Sequence, residues 1–156
     1  MKPLYLNEKV IVSACLLGEY CRYDGQTKED SELKRWLDNK EVIPFCPEAP
    51  VLGTPREAIF VLAEGNSFRL RRSSDKLDVT DLIVSETQKI IDAHPDIKCA
   101  ILKSKSPSCG CESTPIYNKS GEQIAIGDGL ATRLMKKNFY TIRDEKNYHN
   151  IFEEKK

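Results

Sequence analysis

Apolar residues along this chain fall into short runs separated by turn-forming clusters, and three of the runs lead into a cysteine. Lys9 to Ala14 is a β-branched stretch with few polar interruptions, the pattern of a central strand buried on both faces. Glu41 to Phe45 predicts a second strand. It should stop at Cys46-Pro47-Glu48, because proline cannot donate to a strand ladder. Lys98 to Lys103 predicts a third, running into Ser104-Lys105-Ser106-Pro107-Ser108-Cys109-Gly110-Cys111. Between the first two, Leu33, Trp36 and Leu37 have the i, i+3, i+4 spacing of a helix over Ser31 to Asn39, with Trp36 turned to the core. Asp78-Val79-Thr80 offers N-cap residues before Leu82, Ile83, Glu86, Ile90 and Ile91, a helix that Pro95 ends. Leu130, Leu134 and Met135 mark another helix, and Phe139 to Arg143 a closing strand.

Two further pairs of runs predict hairpins. Ala58 to Leu62 and Phe68 to Arg72 flank Glu64-Gly65-Asn66-Ser67; Ile116-Tyr117 and Gln123 to Ile126 flank Asn118-Lys119-Ser120-Gly121. Val51 to Arg56 reads as a Gly and Pro loop. Strands alternating with helices predict a single α/β domain over residues 1–143: a mostly parallel, Rossmann-like sheet with helices on both faces and one or two hairpin excursions. Residues 144–156 are a charged tail, expected to be surface helix or partly disordered. In a parallel sheet the ligand crevice lies outside the carboxyl ends of the strands. Cys15, Cys46 and the loop from Ser106 to Cys111 all follow such ends, so they should share one edge of the sheet.

Composition narrows the chemistry. With 156 residues and 40% hydrophobic positions the chain can bury one sizeable core. Lys plus Arg and Asp plus Glu balance at 24 each, so no overall field draws it to long nucleic acid or to a membrane. No spanning run or leader is read, and the expected location is cytoplasmic. Six cysteines are many for a reducing compartment, which points to metal binding or thiol chemistry. Cys99, inside an apolar run, reads as a small buried hydrophobe.

The pattern lacks the Cys-x2-Cys pairs usual in structural zinc sites. Three converging thiolates would suit a site with an open coordination position, a catalytic zinc or an iron-sulfur cluster. Metal-free thiol catalysis has weaker support, because His94 and His149 lie beside a helix-ending proline and in the charged tail. Glu48 and Ser106, close to these cysteines, are candidates to move a proton; a cap or turn role is the plain alternative. The long loop after Cys15 adds Arg22 and Tyr23. Gly127-Asp128-Gly129 before a helix could offer amides to a phosphate, although such a short pattern is more often a turn. Arg56 is more often solvated than anion-binding.

These motifs also occur together in a recognisable order: Ser13-Ala14-Cys15-Leu16-Leu17-Gly18, Arg22-Tyr23-Asp24-Gly25, Cys46-Pro47-Glu48, Pro55-Arg56, Asp78-Val79-Thr80, Ser106-Pro107-Ser108-Cys109-Gly110 and Gly127-Asp128-Gly129. In this the chain resembles the 2-thiouracil desulfidases, a family formerly described as a domain of unknown function. The resemblance implies a [4Fe-4S] cluster, readily lost in air, held by Cys15, Cys46 and Cys109 with one iron open to sulfur. It implies Glu48 and Ser106 as acid/base residues. Arg22, Tyr23, Arg56, Gly127 and Gly129 are the candidate substrate contacts. The implied reaction replaces C=S by C=O without redox change on a thiolated pyrimidine, as 2-thiouracil or a thiouridine monophosphate, and releases hydrosulfide. Ala49 to Thr54 lacks the paired glycines expected there, and Cys111 is an extra thiol. Two alternatives stay open: a non-catalytic zinc or iron-sulfur module in sulfur trafficking or sensing, closed by Cys21 or Cys111, and metal-free thiol chemistry. A homodimer is among the expected assemblies.

Overall fold

The computed structural model describes residues 8–20 and 22–152. In chain order it contains β1 (Lys9–Ser13), α1 (Ser31–Trp36), β2 (Glu41–Phe45), α2 (Ala49–Leu52), β3 (Ile59–Glu64), β4 (Ser67–Arg72), α3 (Thr80–Ala93), β5 (Cys99–Ile101), β6 (Thr114–Tyr117), β7 (Gln123–Gly127), α4 (Leu130–Lys137) and β8 (Thr141–Arg143). Turns of 3-10 helix follow β1 at Ala14–Leu17 and β8 at Tyr148–Asn150. Among the described residues no helix is long and apolar enough to cross a membrane.

The strands form two sheets. The first has the order β2-β1-β5-β8, and every neighbouring pair in it is parallel. β1 lies inside this sheet, and its two faces feed two different cores. Val10 and Val12 pack with Leu33 and Leu37 of the α1 region, and with Tyr148 and Ile151. Ile11, one residue out of phase, packs with Ile91, Ala131 and Met135 from α3 and α4. This is the period of two expressed in a strand covered on both sides. Pro44 is tolerated in β2 because that strand is an edge.

The second sheet has the order β4-β3-β6-β7. Both expected hairpins form, but they are not separate excursions. A parallel pairing of Val61 with Ile116 and Leu62 with Tyr117 joins them into one mixed sheet. α3 and α4 tie the sheets together: Ile83 and Leu130 pack against the second, Ile91 and Met135 against the first. The loop expected over Val51 to Arg56 begins as a helical turn, α2, with proline among its first residues. Beyond β8, Tyr148 and Ile151 are buried, and the half-buried Trp36 ring meets Tyr148 edge-on at 5.0 Å and stacks on Phe152 at 5.9 Å. Residues 153–156 lie outside the described residues.

Two local devices position the site. At the start of α3, the Thr80 hydroxyl accepts the buried Leu70 N–H at 2.7 Å. Asp78 accepts from Thr80 N at 2.9 Å and from Arg69 Nε at 2.8 Å. Partial burial pushes the Asp78 carboxyl upward, but the hydrogen bonds from Arg69 and Thr80 prevail and hold it at about 2. At the start of α4, Gly129 lies against the backbone of the loop that follows β5. A Cβ there would sit 2.5 Å from the Ser108 carbonyl carbon and 2.7 Å from the Pro107 oxygen. Only glycine permits that approach.

Two outcomes follow. Gly129→Ala must force backbone apart, and should lower the unfolding free energy by about 1–3 kcal/mol, measured by denaturant titration. The Asp78 carboxylate, with its folded pKa depressed to about 2 from an ordinary 3.8, stabilises the fold above about pH 4, and that contribution disappears as pH falls toward 2. The stability difference between the parent protein and Asp78→Asn should therefore be full at neutral pH and shrink across that acidic window, read by unfolding at a series of pH values.

Candidate functional site

Because β2, β1 and β5 are adjacent and parallel, their carboxyl ends open onto a common edge. Cys15 lies in the 3-10 turn directly after β1. Its carbonyl accepts from Thr27 Oγ1 at 2.8 Å and from Lys28 N at 3.1 Å, which folds the following loop back over the strand end. Cys46 follows β2, and its sulfur accepts the Ala49 N–H of α2 at 3.4 Å. Cys109 is delivered by the loop after β5. In that loop the Ser106 hydroxyl accepts from Ser108 N at 3.2 Å and Cys109 N at 3.0 Å.

The loop itself is fastened from three directions. Lys103 N donates to Ser13 Oγ at 2.8 Å, tying it to the end of β1. Ser104 donates from its N–H at 2.9 Å and its hydroxyl at 2.6 Å to Glu145, whose carboxylate lies 3.3 Å from the Lys103 ammonium. From behind, α4 donates Leu130 N to Pro107 O, Ala131 N to Ser108 O, and Thr132 Oγ1 to Cys109 O. The orphan amides of this helix start are thus used on the loop's carbonyls.

Cys15, Cys46 and Cys109 all line one cleft of about 540 Å³, together with Glu48, Arg56 and Ser106. Glu48 is only 8% exposed. The Arg56 guanidinium donates to its Oε1 from Nε at 3.1 Å and Nη2 at 3.0 Å, while Ser108 Oγ donates to Oε2 at 2.6 Å. A buried carboxylate is tolerable only with such partners. Burial pushes the Cys109 thiol far above its ordinary value, and the neighbouring Cys46 and Glu48 push it further, against hydrogen bonds from Ser13 and Ser106.

Arg22 and Tyr23 stand in the same cleft, with Lys28, Lys103 and Lys105. Arg22 lies 5.7 Å over the Tyr23 ring and pairs with Asp24 at 3.4 Å. Gly127 and Gly129 do not line it. Their segment backs the Cys109 loop instead, with Asp128 accepting Glu112 N at 2.7 Å and the Lys136 ammonium at 3.0 Å. Cys111 is half-buried on the α4 side, and burial raises its thiol while nearby Lys136 opposes that shift. Cys21 lies outside the described residues.

Sequence reasoning passed over Ser108, Lys28, Ser13 and Glu145. Ser108 was within reach, since it precedes Cys109 in the same motif. Glu145 carried no local signal, being one charge among many in the tail. Arg56 is not the solvated arginine its sequence context suggests: its side chain is 6% exposed, pairs with Glu48 and lines the cleft.

The donor set can be tested against a metal group. Among the described residues no three His, Cys, Asp or Glu side chains gather tightly enough to hold a single ion. Three thiols spread around one cleft fit a polynuclear cluster, which takes its ligands at separate corners, better than a lone zinc. The Cys109 thiol, raised by burial, becomes a ligand thiolate once a cationic metal group compensates the charge.

Comparison with known proteins gives the family. The family model described as 2-thiouracil desulfurase matches residues 10–147. The "Uncharacterized protein YbbK" of Bacillus subtilis (strain 168) is 32% identical over 91% of this chain and 99% of its own. A solved structure titled [4Fe-4S]-dependent thiouracil desulfidase TudS is 34% identical, covers 93% of this chain and 95% of its own, and superposes with a TM-score of 0.73. Order of motifs, fold and match across nearly the whole length lead to one statement: this chain belongs to the 2-thiouracil desulfurase family.

Proposed function

We propose that this protein is a cluster-dependent desulfidase that converts C=S to C=O on a thiolated pyrimidine, base or nucleotide. The observation that carries the reading is the convergence of Cys15, Cys46 and Cys109 with a buried, doubly hydrogen-bonded carboxylate in one cleft. The solved [4Fe-4S]-dependent thiouracil desulfidase at 34% identity supports it. The balance is simple: the thiocarbonyl and one water become the carbonyl and one hydrogen sulfide, with no change of oxidation state.

Cys15, Cys46 and Cys109 are the residues that would hold a [4Fe-4S] group, and such a group, when bound, supplies an open iron with affinity for the thiocarbonyl sulfur. The rest of the chemistry falls to the chain. Glu48 accepts a proton from the water that attacks the carbon, and Arg56 and Ser108 keep its carboxylate aimed while it does so. Ser106 already accepts two backbone N–H groups, and its own proton is directed at the Cys109 sulfur, so it serves the substrate or the departing sulfur by turning from Cys109. Lys28, Lys103 and Lys105 line the cleft with positive charge, which suits the phosphate of a nucleotide or the partial negative charge of a thiocarbonyl sulfur. The volume of about 540 Å³ falls in the range of small-ligand sites.

The closed, non-catalytic module is the competing reading. Cys111 does not line the cleft but sits beside Lys136, which disfavours it as a fourth ligand.

Anaerobically prepared protein should be brown, hold about four irons and four sulfides per chain, and release sulfide from 2-thiouracil. Cys15→Ser, Cys46→Ser and Cys109→Ser should each lose iron and activity, whereas Cys21→Ser and Cys111→Ser should keep both. Protein that stays colourless after anaerobic reconstitution sinks the proposal, and iron lost from the Cys21 or Cys111 variants favours the closed module. Glu48→Gln should retain iron while sulfide release falls by about 10²–10⁴-fold, the usual weight of a general base; an unchanged rate removes Glu48 from the chemistry.

A further inference from the structure

The second sheet has two unlike faces. Val61, Leu70 and Ile116 are buried on the face where Ile83 of α3 and Leu130 of α4 pack. The alternate positions on β3, β4 and β6 carry Phe60, Leu62, Arg71 and Tyr117 to the opposite face. There they line a hollow of about 600 Å³ that also takes in Lys76, from the turn after β4, and Lys119, from the turn between β6 and β7. It is distinct from the cysteine cleft, although Ile59 at the start of β3 borders both.

Its chemistry is specific. Phe60 and Tyr117 meet edge to face, with centroids 5.9 Å apart and planes at 85°. One edge-on pair leaves a ring face available to a flat heterocycle. Arg71 is already engaged, by Glu64 at 2.7 Å and by the Lys76 carbonyl at 2.9 Å. The Lys76 ammonium stands 5.6 Å over the Phe60 ring and donates one of its three N–H groups to the Ser73 carbonyl at 2.8 Å, and Lys119 lies within electrostatic reach of Glu64. The hollow therefore holds three cations against one carboxylate, in a chain whose charges balance overall. An aromatic wall beside two long ammonium arms suits a ligand that is flat at one end and anionic at the other.

We infer that the outer face of this sheet binds a nucleoside phosphate, with the base against Phe60 and Tyr117 and the phosphate on Lys76 and Lys119. The volume accommodates one nucleotide. Stacking of this kind is tolerant of base identity, so the site reads phosphate and ring rather than a thiolated pyrimidine, and it stands independently of the desulfidase reading.

Adenosine monophosphate, which has no thiocarbonyl, is the probe. Titrated into isotope-labelled full-length protein, it should move the backbone amide resonances of Phe60, Tyr117, Asn118 and Lys119 to saturation. Lys76→Ala combined with Lys119→Ala should weaken binding about tenfold while the amide spectrum stays that of the folded parent protein, and Tyr117→Leu by a similar factor, the scale of one lost stack. Hexaadenylate separates the two sources of the ligand. If it moves the same amides at lower concentration the occupant is a strand, and if only the monophosphate does so it is a free nucleotide; both results support the site. Shifts confined to the cysteine cleft, or a double lysine variant that binds as tightly as the parent protein, overturn it.

Discussion

A carboxylate removed from water must be compensated, and the fold of this protein around its cleft is arranged to compensate Glu48. One oxygen takes both donors of the Arg56 guanidinium, and the other takes the Ser108 hydroxyl. The carboxylate and its two partners come from three places in the chain: the segment after β2, the approach to β3, and the loop after β5. The pairing therefore fixes the spacing between two of the cysteine-bearing loops as well as the charge. Arg56 extends the link, donating from Nη1 to the Gly53 carbonyl at 2.8 Å and from its backbone N–H to Tyr23 at 2.7 Å. The cleft walls thus form one hydrogen-bonded unit.

The scaffold beneath is the parallel sheet. Its strand order puts β1 between β2 and β5, the point where successive connections leave in opposite directions and the strand ends open a crevice. Three loops then meet without being near in sequence. α4 closes the back of the site by donating its first amides to the Cys109 loop, an arrangement that requires Gly129 to lie against the Ser108 carbonyl. The second sheet clamps α3 and α4 from the far side. A disturbance at the Gly129 contact reaches the thiols through rigid backbone rather than through flexible side chains.

The two hollows differ in the means by which they could hold a ligand. The cysteine cleft combines soft donors with buried proton-transfer groups, so it is suited to chemistry. The hollow on the outer face of the second sheet pairs rings with long ammonium arms, and its one carboxylate, Glu64, is taken up by Arg71. It is suited to binding alone.

Much of this was legible before any coordinates. A near-continuous β-branched run marked β1, and spacing of three and four marked α3, because helical periodicity follows directly from backbone geometry. The rule that parallel strands open a crevice at their carboxyl ends was enough to bring Cys15, Cys46 and Cys109 to one edge, where the structure places them. The sequence could not show that the two hairpins join through Val61 and Ile116, since that pairing spans more than fifty residues and leaves no local trace. Nor could it separate Arg56 from the other surface arginines, assign Ser108 to Glu48, or turn Gly129 from a phosphate-binding candidate into a packing contact. Burial, partner and direction are properties of the assembled chain: residue type and spacing determine which groups are present and which strand ends carry them, while only tertiary packing decides which of those groups lose water and must therefore find each other.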